Sequence, residues 1–332
     1  FTSLAEQGTT QAQYLLGVMY ENGQGVPQDD KEAMKWYIKA AEVGFPAAQR
    51  TLGYRYFNGE GVPHDYQTAV TWYRKAAENG DADAQNTLGV VYYHGQGVPQ
   101  DYEEAVEWWR KAAAQGYSEA QYSLGVIYRD GQAVPQNYKE AMMWFRKSAG
   151  QGYAFAQYNL GVMYENGQGV PQDEKEALKW YRKSAEQGNA DAQSALGVMY
   201  YEGRGVRQDH TEAVKWYRKS AEQGYASAQY NLGVMYESGP GVLRNYKEAV
   251  KWYRKAADQG YALAQNILGV MYALGKGVPQ DYVQTHMWMN LAAANGLEKA
   301  KKGRDIAARR MTPAQIEQAQ KLAREWTPIK AN

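Results

Sequence analysis

The chain has 332 residues, 44% of them hydrophobic, and its 37 Lys and Arg nearly balance 36 Asp and Glu, for a net charge of +1. That balance, with no basic tail or stripe, excludes the electrostatic footprint of a nucleic-acid binder. No apolar run approaches about 18 residues, so no membrane insertion is expected, and the absence of cysteine removes disulfides and thiolate metal sites.

Taken from the N-terminus, Phe1 to Gly8 aligns with Tyr37 to Gly44, so residues 1–10 are expected to be the tail of a truncated preceding repeat. Residues 11–298 then form eight repeats. Trp36, Trp72, Trp108 and their counterparts up to Trp288 are each 36 residues apart, and Gln13, Leu16, Gly17 and Tyr20 recur in step without insertion or deletion. A fixed period of this length is the signature of a repeat architecture.

The third repeat, Asp81 to Gly116, serves for all. Ala84, Leu88 and Tyr92 lie four residues apart and form one stripe of a helix. Gly89 lies inside that helix at a cost of about 1 kcal/mol relative to Ala, so its recurrence implies a close helix–helix approach. Gly95 stops the helix, as a residue tolerant of a left-handed conformation does. Asp101 is placed to N-cap a second helix whose apolar stripe is Ala105, Trp109, Ala112 and Ala113. One such hairpin cannot bury both of its apolar faces, so neighbours must stack. After the last repeat, residues 299–332 are expected to form C-terminal capping helices. Thr312, Pro313 and Gln315 supply an N-cap, a first-turn proline and a capping box, and Ile316, Ala319, Leu322 and Ala323 are expected to face inward. The fold class is therefore all-α: a right-handed α-solenoid of two-helix repeats with a capping helix at its end and a concave surface lined mainly by the first helices.

Segments such as AQYNLGVMYENGQGVPQDEKEALKWYRKSAEQG, Ala156 to Gly188, closely resemble the Sel-1-like repeat, a relative of the tetratricopeptide repeat with a longer link between its helices. The resemblance covers about residues 1–300. Departures are confined to loops: Ala133 replaces a glycine, Arg207 and Leu243 replace a proline, and Pro240 enters the seventh loop. The resemblance implies a bacterial adaptor that holds proteins or peptides in complexes and has no catalytic residues. The segment MTPAQIEQAQKLAREW is similar to the endings of exported members, which implies a periplasmic or secreted location.

Comparison of the repeats with one another separates positions the stack requires from positions free to serve a ligand. In the first helix the varying positions fall on the face opposite the Ala–Leu–Tyr stripe. One row reads Tyr14, Arg50, Asn86, Tyr122, Tyr158, Ser194, Tyr230 and Asn266. A parallel row reads Glu21, Phe57, Tyr93, Arg129, Glu165, Tyr201, Glu237 and Ala273, and the second repeat adds Tyr54 and Arg55. Tyr and Arg dominate binding hot spots. The expected partner-binding groove is thus Arg50, Tyr54, Arg55, Phe57, Asn86, Tyr93, Tyr122, Arg129, Tyr158, Tyr201 and Tyr230. Tetratricopeptide grooves use the same face, which the resemblance carries over.

No cofactor-binding, metal-binding or catalytic set is recognised. His64, His94, His210 and His286 occupy different repeat positions, share no ligand spacing and read as surface variants. The Gly-x-Gly of the loops lacks the strand and Lys-Ser/Thr of a phosphate-binding turn. The reading is a non-enzymatic scaffold for a protein or peptide. The alternative is a cell-envelope module that binds peptidoglycan or another polysaccharide, since Tyr and Trp stack on sugars. An apolar Phe1–Leu4 edge adds the expectation of self-association through the N-terminal end.

Overall fold

The computed structural model describes residues 2–329, and every described element is a helix. A short α1 (Thr2–Glu6) is followed by helix pairs α2 (Thr10–Asn22) and α3 (Asp30–Glu42), α4 (Pro46–Asn58) and α5 (Tyr66–Glu78), α6 (Ala82–His94) and α7 (Tyr102–Ala114), α8 (Ser118–Asp130) and α9 (Tyr138–Gly150). The pairs continue as α10 (Ala154–Asn166) and α11 (Glu174–Glu186), α12 (Ala190–Glu202) and α13 (His210–Glu222), α14 (Ala226–Ser238) and α15 (Tyr246–Asp258), α16 (Ala262–Leu274) and α17 (Tyr282–Ala294). The chain closes with α18 (Lys299–Ala308) and α19 (Pro313–Glu325). It divides into two compact units, Phe1–Ala156 with Gln168–Val170, and Gln157–Gly167 with Pro171–Asn332. Each unit is a solenoid-like stack of these pairs.

The start and stop signals act as their chemistry requires. Asp29, Asp65, Asp101, Asp173 and Asp209 each accept two backbone N–H groups at the start of a second helix, satisfying donors that the helix itself cannot. The N–H of Asp101 also donates to the Tyr92 carbonyl at 2.9 Å, closing the connector back onto the first helix. Gly95 ends α6 at φ 68°. At the corresponding second glycine position of the loops, Ala133 takes φ 62° and is the one non-glycine with positive φ among the described residues.

The glycine inside each first helix lies against a ring from the second, except in the last repeat, where Gly269 faces Met289. A carbon added to Gly89 would lie 2.4 Å from Trp109, and one added to Gly125 would lie 2.6 Å from Phe145. In the other unit Gly161, Gly197 and Gly233 face Tyr181, Tyr217 and Tyr253 in the same way. The expected close approach is therefore present.

Successive pairs are joined by a buried amide ladder. Gln85 is 5% exposed; its amide donates to the Ala77 carbonyl at 2.9 Å and accepts from Gln115 at 2.9 Å. Gln115 also donates to the Gly80 carbonyl at 3.0 Å. Gln193 and Gln223 repeat this with Ala185 and Gly188 in the second unit. On the outer surface, Lys75, Lys111 and Lys147 lie over Trp72, Trp108 and Trp144 at 4.2, 3.8 and 4.2 Å. The neighbouring arginines donate to the next tyrosine, Arg110 to Tyr128 at 3.1 Å and Arg218 to Tyr236 at 2.5 Å. The Trp-Tyr-Arg-Lys runs are thus struts of the stack.

At the C-terminal end α17 packs against both α18 and α19. Thr312 and Gln315 form the capping box, and Ala319 and Ala323 are buried with Ile316 and Leu322 half-buried. Leu4 of the expected N-terminal edge is 50% exposed. Phe1 of that edge and residues 330–332 of the capping segment lie outside the described residues.

Gly197→Ala is expected to lower stability by about 1–3 kcal/mol through overpacking on the Tyr217 ring, although Ala is the better helix former. Ala133→Gly, which relieves a left-handed alanine, is expected to raise it by about 1 kcal/mol. Urea denaturation of both variants checks the two signs.

Candidate functional site

Among the described residues, depressions open on the varying face of the first helices in both units; three of them matter here, two in the first unit and one in the second. The largest of them, about 460 Å³, is lined by Tyr14, Glu21, Arg50, Tyr54, Asp83 and their neighbours. The second, about 200 Å³, is lined by Val90, Tyr93, His94, Trp109, Tyr122 and Val126 over Ile127. The third, about 230 Å³ and in the second unit, is lined by Val198, Tyr201, Glu202, Tyr217, Tyr230 and Val234 over Met235. A larger hollow beside Gln67, Arg74 and Glu78 lies on a second helix and brings together no candidate residue.

Of the expected groove residues, Arg50 and Tyr54 meet in the first depression, Tyr93 and Tyr122 in the second, and Tyr201 and Tyr230 in the third. Tyr54 is 51% exposed. Arg50 is half-exposed and pairs with Asp83 at 2.9 Å and Asp81 at 3.3 Å. Tyr93 rests on Tyr102 and Trp109 with ring centroids 5.1 and 5.6 Å away, and its hydroxyl donates to Gln132 at 2.8 Å. Tyr122 lies among Phe145, Tyr153 and Phe155, and Tyr230 between Tyr253 and Tyr261.

Phe57, Asn86, Arg129 and Tyr158 line none of the three. Phe57 is wedged edge-on against Tyr66 at 4.9 Å, Asn86 is half-buried, Arg129 pairs with Asp130 at 2.6 Å, and Tyr158 stacks over Tyr181 at 5.7 Å. Arg55 departs from expectation most. It is 3% exposed and its guanidinium pairs with Glu21 at 2.6 Å, so it belongs to the packing between the first two repeats and not to an open surface. His286 also departs from its reading as a surface variant. It is 4% exposed, because it stands where the other repeats carry buried aliphatics such as Val106, Met142 and Val250, and burial holds its imidazole below the ordinary range. The valines at the rims of the depressions, Val126, Val198 and Val234, escaped the sequence reading because they barely vary.

The electrostatics are those of a lined surface. Glu21 accepts from the buried Tyr37 hydroxyl as well as from Arg55. Burial, then Glu21, pushes the Tyr37 phenol above its ordinary value, and burial with Glu165 does the same to Tyr181, whose hydroxyl donates at 2.5 Å. Burial, then Asp83, pushes Tyr117 up to about 12. Among the described residues no three His, Asp or Glu are grouped to hold a metal ion. Among the described residues, no helix is long and apolar enough to cross a membrane.

Stacked two-helix repeats with a fixed inner lattice and a varying first-helix face define a tandem helical-repeat scaffold. The Sel1 repeat matches residues 10–45, 46–81, 82–117, 118–153, 154–189, 190–225, 226–261 and 262–297 in unbroken succession, and the chain belongs to that family. Sel1 repeat proteins generally mediate protein–protein interactions, and theirs is typically a non-enzymatic scaffold fold. A Sel1 repeat protein from Oxalobacter formigenes is 36% identical, with a TM-score of 0.72 over 91% of this chain and 88% of its own. A protective antigen of uropathogenic Escherichia coli strains with an SLR fold is also 36% identical, with a TM-score of 0.52 over 97% of this chain and 85% of its own. No curated protein matches the chain.

Two outcomes follow from these contacts. Arg55→Ala is expected to cost about 1–3 kcal/mol, less than for a fully buried pair because Glu21 reaches solvent; thermal unfolding measures it. The phenols of Tyr37, Tyr117 and Tyr181 titrate above the ordinary value of about 10. The stability they contribute is therefore present below pH ~10 and lost as the pH rises through the folded values, about 12 for Tyr117. Tyrosinate absorbance during alkaline titration should lag behind that of free tyrosine and rise together with unfolding.

Proposed function

We propose that this chain is a scaffold that holds a protein or peptide partner on its first-helix face, through the depressions lined by Arg50 and Tyr54, by Tyr93 and Tyr122, and by Tyr201 and Tyr230. The observation that carries the reading is the exposure of Tyr54, at 51%, and Tyr201, at 37%, on a face whose residues change from repeat to repeat. Tyrosine offers a large rigid ring with a polar tip, which suits it to contacts made and broken in water. Arg50 adds a charged group held in place by Asp83. The resemblance of residues 311–326 to the endings of exported bacterial members leads us to seek the partner in the periplasm or outside the cell.

The test is a pull-down from envelope and cytosolic fractions with the natural chain and with a Tyr54→Ala, Tyr93→Ala, Tyr201→Ala variant of unchanged helical content. A protein captured by the first and lost by the second is the expected result. Identical captures would place the binding surface elsewhere. Retention of purified peptidoglycan, with no protein captured, would favour the polysaccharide reading instead.

A further inference from the structure

The second and third depressions occupy the same register, 108 residues apart in sequence and one in each unit. They share a specific cause. Along the two varying rows, a tyrosine at the Glu21-type position is followed 29 residues later by a tyrosine at the Tyr14-type position only twice: Tyr93 with Tyr122, and Tyr201 with Tyr230. Each pair walls a hollow with a buried ring at its base, Trp109 in one and Tyr217 in the other, each at most 4% exposed. Valines from consecutive first helices close the rim. At about 200 and 230 Å³ these hollows fall below the range of about 300–1,000 Å³ that holds a drug-sized ligand. They are sized for one large side chain.

Charge separates the two. The first helices α10, α12, α14 and α16 carry Glu165, Asp191, Glu202 and Glu237 and no Lys or Arg. Glu202 lines the depression of the second unit with its side chain 49% exposed. Arg204 in the following loop pairs with it at 2.7 Å and with Glu165 at 2.5 Å, so two carboxylates share one guanidinium and negative charge is left in excess among the three. In the first unit His94 stands at the Glu202 position, and no carboxylate lines the hollow between Tyr93 and Tyr122.

From this we infer that the hollow between Tyr201 and Tyr230 is a specificity pocket for a partner segment that presents a large apolar side chain beside a Lys or Arg. The inference rests on the first-helix face being the binding face. The apolar side chain fills the hollow against Tyr217 and Met235, and the cation lies toward Glu202. Such an anchor, desolvated in a pocket with charge at the rim, is the arrangement that concentrates binding energy in few residues.

The test pans the full chain against a phage-displayed random-peptide library and measures recovered peptides on three variants. Tyr201→Ala and Glu202→Asn each install the residue of a sibling repeat, Ala273 or Asn166, and Tyr93→Ala probes the first unit. Recovered peptides should pair Leu, Met, Phe or Trp with an adjacent Lys or Arg. Their affinity should fall about ten-fold on Tyr201→Ala, and by about two- to three-fold on Glu202→Asn at low salt only. Peptides weakened by Tyr93→Ala but indifferent to Tyr201→Ala would overturn this pocket and keep the face. Peptides indifferent to all three variants, or no enrichment at all, would overturn the face itself. Retention of purified peptidoglycan that Tyr201→Ala abolishes would assign the hollow to a sugar ring and overturn the peptide occupant.

Discussion

With only hydrogen on its Cα, Gly89 lets the ring of Trp109 rest directly on the helix backbone, and the same seat is repeated at Gly125 with Phe145 and at Gly197 with Tyr217. Glycine costs such a helix about 1 kcal/mol relative to Ala, and the ring contact offsets it through dense packing. The seat also fixes the rotation of the first helix. Once the glycine faces the ring, Ala84 and Leu88 are committed to the core at 0% exposure, and the opposite face is left without a partner inside the repeat. The face proposed to hold a partner is a consequence of that rotation.

Stacking the repeats adds a second constraint. The Gln85 amide is buried, so its oxygen and nitrogen must both be satisfied. The Ala77 carbonyl and the Gln115 amide do so, and Gln115 reaches back to Gly80. Each such glutamine pair therefore ties its own repeat to the preceding one, and shortening either member would orphan its buried partners. The lattice uses up glycine, glutamine, alanine and the second-helix rings. What remains to vary is the row of residues from which the tyrosine-walled depressions are made.

Much of this was legible in the sequence, because a strict period makes each position an eightfold observation. The helix pair, the aspartate caps, the close approach at Gly89 and the Thr312 capping box all follow from local chemistry. The failures come from weighing residue type above repeat position. Arg55 stands where sibling repeats carry buried aliphatics such as Val91, Ile127 and Met163, and its pairing with Glu21, 34 residues earlier, keeps a charge there. His286 looked like a surface variant because it was weighed as a lone histidine, whereas Val70, Val106 and Val250 occupy the same position in other repeats and are buried. The tyrosine pairs 29 residues apart were visible on the two rows, but that they stand apart around an open hollow depends on where Trp109 and Tyr217 place their rings. Arg129 and Tyr158 were chosen for residue type, and local pairing draws them into the surface lattice.

The central claim is a division of labour: an inner lattice that holds the stack, and a first-helix face that holds a partner. Site-specific photo-crosslinking in cells tests it most directly, with a photoreactive phenylalanine placed in turn at Tyr54 and Tyr201, and at the exposed second-helix positions Lys35 and Lys179. A protein adduct of defined mass is expected from Tyr54, Tyr201 or both, and none from the two lysine positions. Adducts formed only from Lys35 or Lys179 would contradict it, because the partner would then lie on the face assigned here to the struts of the stack.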